Sequence, residues 1–217
     1  MVHLPLMSAP TQRRRRQWQS ALAFALLALQ ASAGWAFVVS ITSGSKRLFL
    51  QVGSGSGGAS YINGGNPNSG GTRNTVSVNV PAGNLGAGDI GMTSDSTVSA
   101  SPYDGFNFCP GAGSKVYVGG YYRTNGSANA SLTVTSPTSL SSGGDTIPFN
   151  SISWVSSGAD GSYLPITNGR FTGGTQSLYS ASRNTWFEAC LTFSYDNDVV
   201  PPAGTYTGTV TYSLTAP

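Results

Sequence analysis

The stretch TWFEACLTFSY, Thr185 to Tyr195, decides the fold. Phe187, Ala189, Leu191, Phe193 and Tyr195 recur at every second position, with Trp186, Glu188, Cys190, Thr192 and Ser194 between them. A strand turns successive side chains to opposite faces, so the first set shares one face and the second set the other. The large apolar set predicts the core face. Cys190 then lies on the outer face or at a sheet margin, and a bridge from it would tie down a loop or a neighbouring strand instead of crossing the core.

Working outward, similar segments recur with turn clusters between them, and this spacing predicts an all-β antiparallel sandwich of about eight or nine strands. Trp35 to Val52 (WAFVVSITSGSKRLFLQV) carries two apolar bursts around Ser43-Gly44-Ser45. Thr75 to Val80 (TVSVNV) alternates strictly, and Lys115 to Arg123 (KVYVGGYYR) holds a double glycine that predicts a bulge or the close approach of another strand. Ser131 to Thr135, Ile147 to Val155 and the closing Thr205 to Leu214 complete the set. In the last of these, Tyr206, Gly208, Val210, Tyr212 and Leu214 share one face and Thr205, Thr207, Thr209, Thr211 and Ser213 the other. β-branched threonine suits a pleated surface, and its hydroxyl keeps the outer face wet without charge. Beyond the first residues, no window shows the helical spacing of apolar residues.

The N-terminus reads as an export signal. Arg13 to Arg16 precede an apolar run, Ala21 to Leu29, and Ala31-Ser32-Ala33 supplies a small-residue cleavage site, with Gly34-Trp35-Ala36 as a second candidate. The expected organisation is a leader over residues 1–33, or as far as 36, and a single domain over 34–217. The run is shorter than the roughly 20 apolar residues a membrane span needs, so no membrane attachment is expected after cleavage. GSGSGGASYINGGNPNSGGTRN, Gly53 to Asn74, reads as a surface loop or linker.

Removing the leader changes the chemistry open to the chain. Four of the 11 basic residues leave with it, so seven face 8 acidic ones and the basic balance disappears. The remaining Lys and Arg are scattered, which argues against nucleic acid. His3, the one histidine, leaves too, and with it Ser-His or Cys-His catalysis and the commonest transition-metal ligand. Cys109 and Cys190 behind an export signal read as a disulfide. Closing a loop of that length stabilises by ~4.5 kcal/mol on the chain-entropy argument. The minor alternative, a metal on two sulfurs, lacks the other ligands.

Candidate sites are few. Gly53-x-Gly55-x-x-Gly58 matches a dinucleotide fingerprint but has no βαβ context. Asp196-Asn197-Asp198 could offer oxygens to Ca²⁺, but an Asx-type turn into Pro201-Pro202 fits better. Glu188 is the one glutamate, and nothing nominates the second carboxyl a glycosidase needs. No catalytic residue, metal ligand or cofactor is therefore assigned. Tyr103, Phe106, Phe108, Tyr117, Tyr121 and Tyr122 cluster with Asp104 and Asn107; sheet packing explains most such tyrosines, with Tyr117, Tyr121 and Tyr122 the candidate ligand-binding aromatics for a glycan or host surface. Asn125-Gly-Ser and Asn129-Ala-Ser fit the glycosylation sequon.

PAGTYTGTVTY, Pro202 to Tyr212, resembles the final strand of pilin subunits of the chaperone-usher pathway and of the related spore-coat U family, which share a signal peptide, a disulfide and a Gly-Thr-Tyr-rich terminus. TIPFNSISW (Thr146 to Trp154) and the residues around Trp186 and Cys190 are similar to a group of secreted Gram-negative proteins. The pilin resemblance implies an incomplete immunoglobulin-like sandwich in the periplasm or at the cell surface. A periplasmic chaperone and then a like subunit would supply its missing strand. The donor would be the apolar segment Trp35 to Ile41.

Overall fold

The alternation in Thr185–Tyr195 is realised as one unbroken strand whose even-numbered and odd-numbered side chains part company as expected. The computed structural model describes residues 40–54, 61–62, 73–158 and 164–217. The leader and most of the proposed donor segment lie outside these residues, as does most of the Gly53–Asn74 stretch. The strands in chain order are β1 (Arg47–Val52), β2 (Tyr61–Ile62), β3 (Val76–Ser77), β4 (Ile90–Gly91), β5 (Thr93–Ser94), β6 (Lys115–Arg123) and β7 (Ala130–Ser136). They continue as β8 (Ser139–Ser142), β9 (Asp145–Pro148), β10 (Ile152–Ser157), β11 (Gly169–Arg170), β12 (Gly174–Ala181), β13 (Thr185–Tyr195) and β14 (Thr211–Thr215). Among the described residues the helical elements are single 3-10 turns of three residues.

Two antiparallel sheets carry the structure. The larger has the order β11-β10-β13-β6-β1-β2, with β4 also paired to β13; the smaller is β12-β7-β14. They face each other across one apolar core: Phe187, Ala189 and Leu191 of β13 and Val118 of β6 meet Leu132 and Val134 of β7 and Leu214 of β14. Burying each such large side chain contributes about 1.5–3 kcal/mol relative to leaving it in water. The sandwich is the architecture that the alternation predicts. The strand count exceeds eight or nine because several ladders are only two residues long, β3 against β5 and β4 against β13 among them.

TVSVNV shows why a perfect pattern need not give a full strand. Val76, Val78 and Val80 do turn inward against the core, but ladder pairing is confined to Val76–Ser77 because the chain then meets Pro81 and turns. The closing segment is similarly divided. Thr207 exchanges backbone hydrogen bonds with Ser141, and the chain then moves to β7 for Thr211–Thr215. Leu214 is buried, Tyr206, Val210 and Tyr212 pack on the core margin, and Thr205, Thr207, Thr209 and Thr211 are exposed, as the two-residue period requires. The TIPFNSISW segment builds the corner of the core at the far edge: Trp154 donates its indole N–H to the Thr167 carbonyl at 2.9 Å, and Phe149, Trp154 and Phe193 surround Phe171.

Candidate functional site

The site lies on the outer face of the larger sheet, where β1, β6 and β13 run side by side in register. Leu48 and Leu50 of β1 and Val118 and Tyr122 of β6 point inward, so Arg47, Phe49, Gln51, Tyr117, Gly119, Tyr121 and Arg123 point outward. The pairing Arg47 with Arg123, Phe49 with Tyr121, and Gln51 with Gly119 continues across β6 to β13, where Tyr121 meets Trp186 and Gly119 meets Glu188. The outer face is thus ordered in rows: a cationic row, an aromatic row, an acidic row and then the disulfide.

The aromatic row is a packed cluster. Phe49 stacks on Tyr121 at 5.8 Å and on Trp186 at 5.5 Å, and Trp186 contacts Tyr121 at 5.8 Å. A further ring, Tyr103, comes from a separate loop and lies 5.3 Å from Trp186 while remaining 47% exposed. That loop is pre-shaped by its own hydrogen bonds. Ser101 and Phe106 close it through backbone bonds, Gly105 adopts a positive φ of 76°, and the Asp104 carboxylate accepts the Phe106 N–H at 2.9 Å. A Pro-x-Asp-Gly run is turn chemistry, with the aspartate taking up a backbone donor and the glycine the left-handed conformation. Tyr103, Tyr121 and Trp186 with Ser40, Ile41, Thr42 and Arg123 enclose an open cleft of about 310 Å³.

Beneath this loop lies the disulfide. Cys109 and Cys190 are bonded, their Cα atoms 5.7 Å apart, and both are completely buried with Tyr117 under Val98 and Phe108. The bridge therefore fastens the loop that carries Tyr103 to the outer face of β13, as the position of Cys190 in its strand predicts. Tyr117 leans along the sheet over Gly119 and donates its hydroxyl to Glu188 Oε2 at 2.7 Å. A side chain at Gly119 would occupy the space of the phenol, and one at Gly120 would run into the Phe49 carbonyl of β1. The double glycine thus marks close approach, on one side of a ring and on the other of a backbone; the ladder passes through it without a bulge.

Glu188 is half-buried, and burial pushes its carboxyl above the usual range, with the charge of Asp104 adding to the effect. The Ser101 and Tyr117 hydroxyls and the Trp186 indole pull in the other direction. The Trp186 Nε1–H is itself buried and has no partner of proper hydrogen-bond geometry. Burial first and the Glu188 charge second drive the Tyr117 phenol far above its ordinary value, so it remains a donor.

The candidate tyrosines are not one surface. Tyr117 is sealed under the disulfide loop and Tyr122 is buried in the core on the opposite face, so of the three only Tyr121 reaches the cleft. Two consecutive residues of a strand cannot share a face, which separates Tyr121 from Tyr122. Sequence reading missed Phe49, Trp186, Arg47 and Arg123. Alternation alone places each on an outer face, but only the pairing of distant strands brings them together. Elsewhere, Asp196 takes an ion pair from Arg170 at 3.0 Å, Asn197 is buried and donates to the Asn84 carbonyl, and Asp198 N–H turns back to Asp196. Among the described residues no three or more His, Cys, Asp or Glu gather as a metal site. Gly53 forms a tight turn against Tyr117 and Asn74, while Gly55 and Gly58 lie outside the described residues. Asn125 and Asn129 are both exposed in the connection between β6 and β7.

Comparison with protein-family models, with curated proteins and with solved structures finds no match to this chain.

Proposed function

We propose that the domain is an exported, non-enzymatic binding module whose aromatic cleft holds a sugar ring of a glycan or cell surface. The observation that carries this reading is Tyr103, a half-exposed ring delivered by a disulfide-fastened turn onto Trp186 and continuous with Tyr121 and Phe49. Ring faces bury the apolar face of a pyranose, and nearby polar groups fix its orientation. Here Ser40, Thr42 and Arg123 supply those groups. The carboxyl of Glu188 is engaged by Tyr117, which fits a structural role better than general acid catalysis. Glycan-array binding followed by calorimetry tests the reading. Tyr103→Ala should abolish binding while leaving the melting temperature within a degree or two, because an exposed turn residue contributes little to stability. Unchanged binding by this variant would refute the assignment.

A second reading keeps the pilin-like expectation. β14 is an edge strand, paired only to β7 among the described residues, and an edge offers backbone groups to an added strand. Assembly with a chaperone and like subunits would follow. Mass measurement in solution separates the two: a stable, fully folded monomer supports the binding module, and folding only with a chaperone partner supports strand addition.

A further inference from the structure

Resting on the sugar-site reading, we infer that the ligand is an acidic saccharide, its carboxylate or sulfate held by Arg123, with the charge of Arg47 beside it, while its ring lies on the aromatic row. Arg47 and Arg123 are direct cross-strand partners on the outer face. Like charges placed directly opposite are destabilising, so such a pair normally has an acid beside it. Among the described residues the ion pair is Arg170 with Asp196, away from this pair, and neither Arg47 nor Arg123 has a carboxylate partner. The Arg47 Nε is buried without a hydrogen-bond acceptor. A bound anion would offset the repulsion within the pair.

Arg123 is also held in place. Its Nε donates to the Ser45 carbonyl at 3.4 Å, and its guanidinium lies so close over Gly44 that a Cβ there would come within 3.3 Å of the same nitrogen. It lines the cleft together with Tyr121. The arginine row stands two residues from the aromatic row along the strand, roughly 7 Å, a gap that the long side chain of Arg123 can span toward a ring lying on the aromatic row. Guanidinium groups match the planar oxygens of a carboxylate, and those of a sulfate, through paired N–H bonds. The acidic groups on the same face do not compete: Glu188 is on the far side of the aromatic row and takes the Tyr117 hydroxyl, and Asp104 takes the Phe106 N–H.

The test uses the folded mature chain in titration calorimetry against oligogalacturonate, a sulfated oligosaccharide and a neutral cello-oligosaccharide. At least one acidic ligand should bind about tenfold more tightly than the neutral one at low salt, the equivalent of one charge-assisted contact. Arg123→Gln should remove that preference, bringing acidic and neutral ligands to the same affinity, and Arg123→Lys should retain only part of it. Which acidic arm binds tells carboxylate from sulfate. Equal binding of neutral and acidic ligands, or a preference that survives Arg123→Gln, overturns this inference and leaves the sugar site standing. Absence of binding to all three, with Tyr103→Ala indistinguishable from the parent, overturns the sugar site itself.

Discussion

Replacing Tyr117 by Phe removes one oxygen atom from a fully buried ring and, with it, the 2.7 Å hydrogen bond to Glu188. A hydrogen bond to a charged group contributes about 1.5–3 kcal/mol, and because the carboxylate is only half shielded from water a value discounted for screening, about 1–2 kcal/mol, applies at pH 7. For a domain of this size that is a fall in melting temperature of about 3–6 °C. The sign of the pH dependence follows from the direction of the Glu188 shift. Its folded-state value is raised above 4.5, so the folded chain holds the proton more tightly than the unfolded one. Stability from this group is fully present below the unfolded value and is lost as pH rises through the folded one. Tyr117 restrains the shift, so removing its hydroxyl should deepen the loss at neutral pH and matter much less near pH 3, where the carboxyl is protonated in both states. Thermal unfolding of parent and Tyr117→Phe at pH 3 and pH 7 is the assay, with Glu188→Gln as the variant in which the slope should flatten. An equal penalty at both pH values would refute the claim that the phenol acts on an ionised carboxylate.

Three further outcomes test the packing. Replacing Cys109 and Cys190 together by Ala should cost up to ~4.5 kcal/mol in urea unfolding, the loop-closure term for a separation of 81 residues, and should also release Tyr103 from Trp186, seen as altered tryptophan fluorescence. Gly119→Ala and Gly120→Ala should each destabilise by about 1–3 kcal/mol through overpacking, but Tyr117→Ala should rescue only Gly119→Ala, since the Gly120 clash is with the Phe49 backbone. Leu214→Ala should cost about 2–4 kcal/mol by denaturant titration if the closing strand completes the core, and near zero if it is merely laid on the surface.

Much of the fold was legible because strand alternation is local. The covalent chain itself sends successive side chains to opposite faces, so Thr185–Tyr195 could be divided into core and outer sets, Cys190 assigned to the outside, and Gly119-Gly120 read as a place of close contact. Local pattern misled where a neighbour was needed. TVSVNV alternates perfectly yet has ladder partners only at Val76 and Ser77. The separation of Tyr121 from Tyr122, by contrast, follows from the two-residue period itself, and grouping them as one surface overlooked it. Tyr117, on the same face as Tyr121, is closed off by a loop that the disulfide brings over it.

The amino-acid order by itself determined which side of each strand meets the core, since that depends on a two-residue period and on the cost of burying polar atoms. Only the tertiary structure decided which strands are neighbours and in what register. Arg47 faces Arg123, and Phe49, Tyr121 and Trp186 form one row, because backbone hydrogen bonds between segments far apart in the chain align them. No property of any one segment contains that alignment.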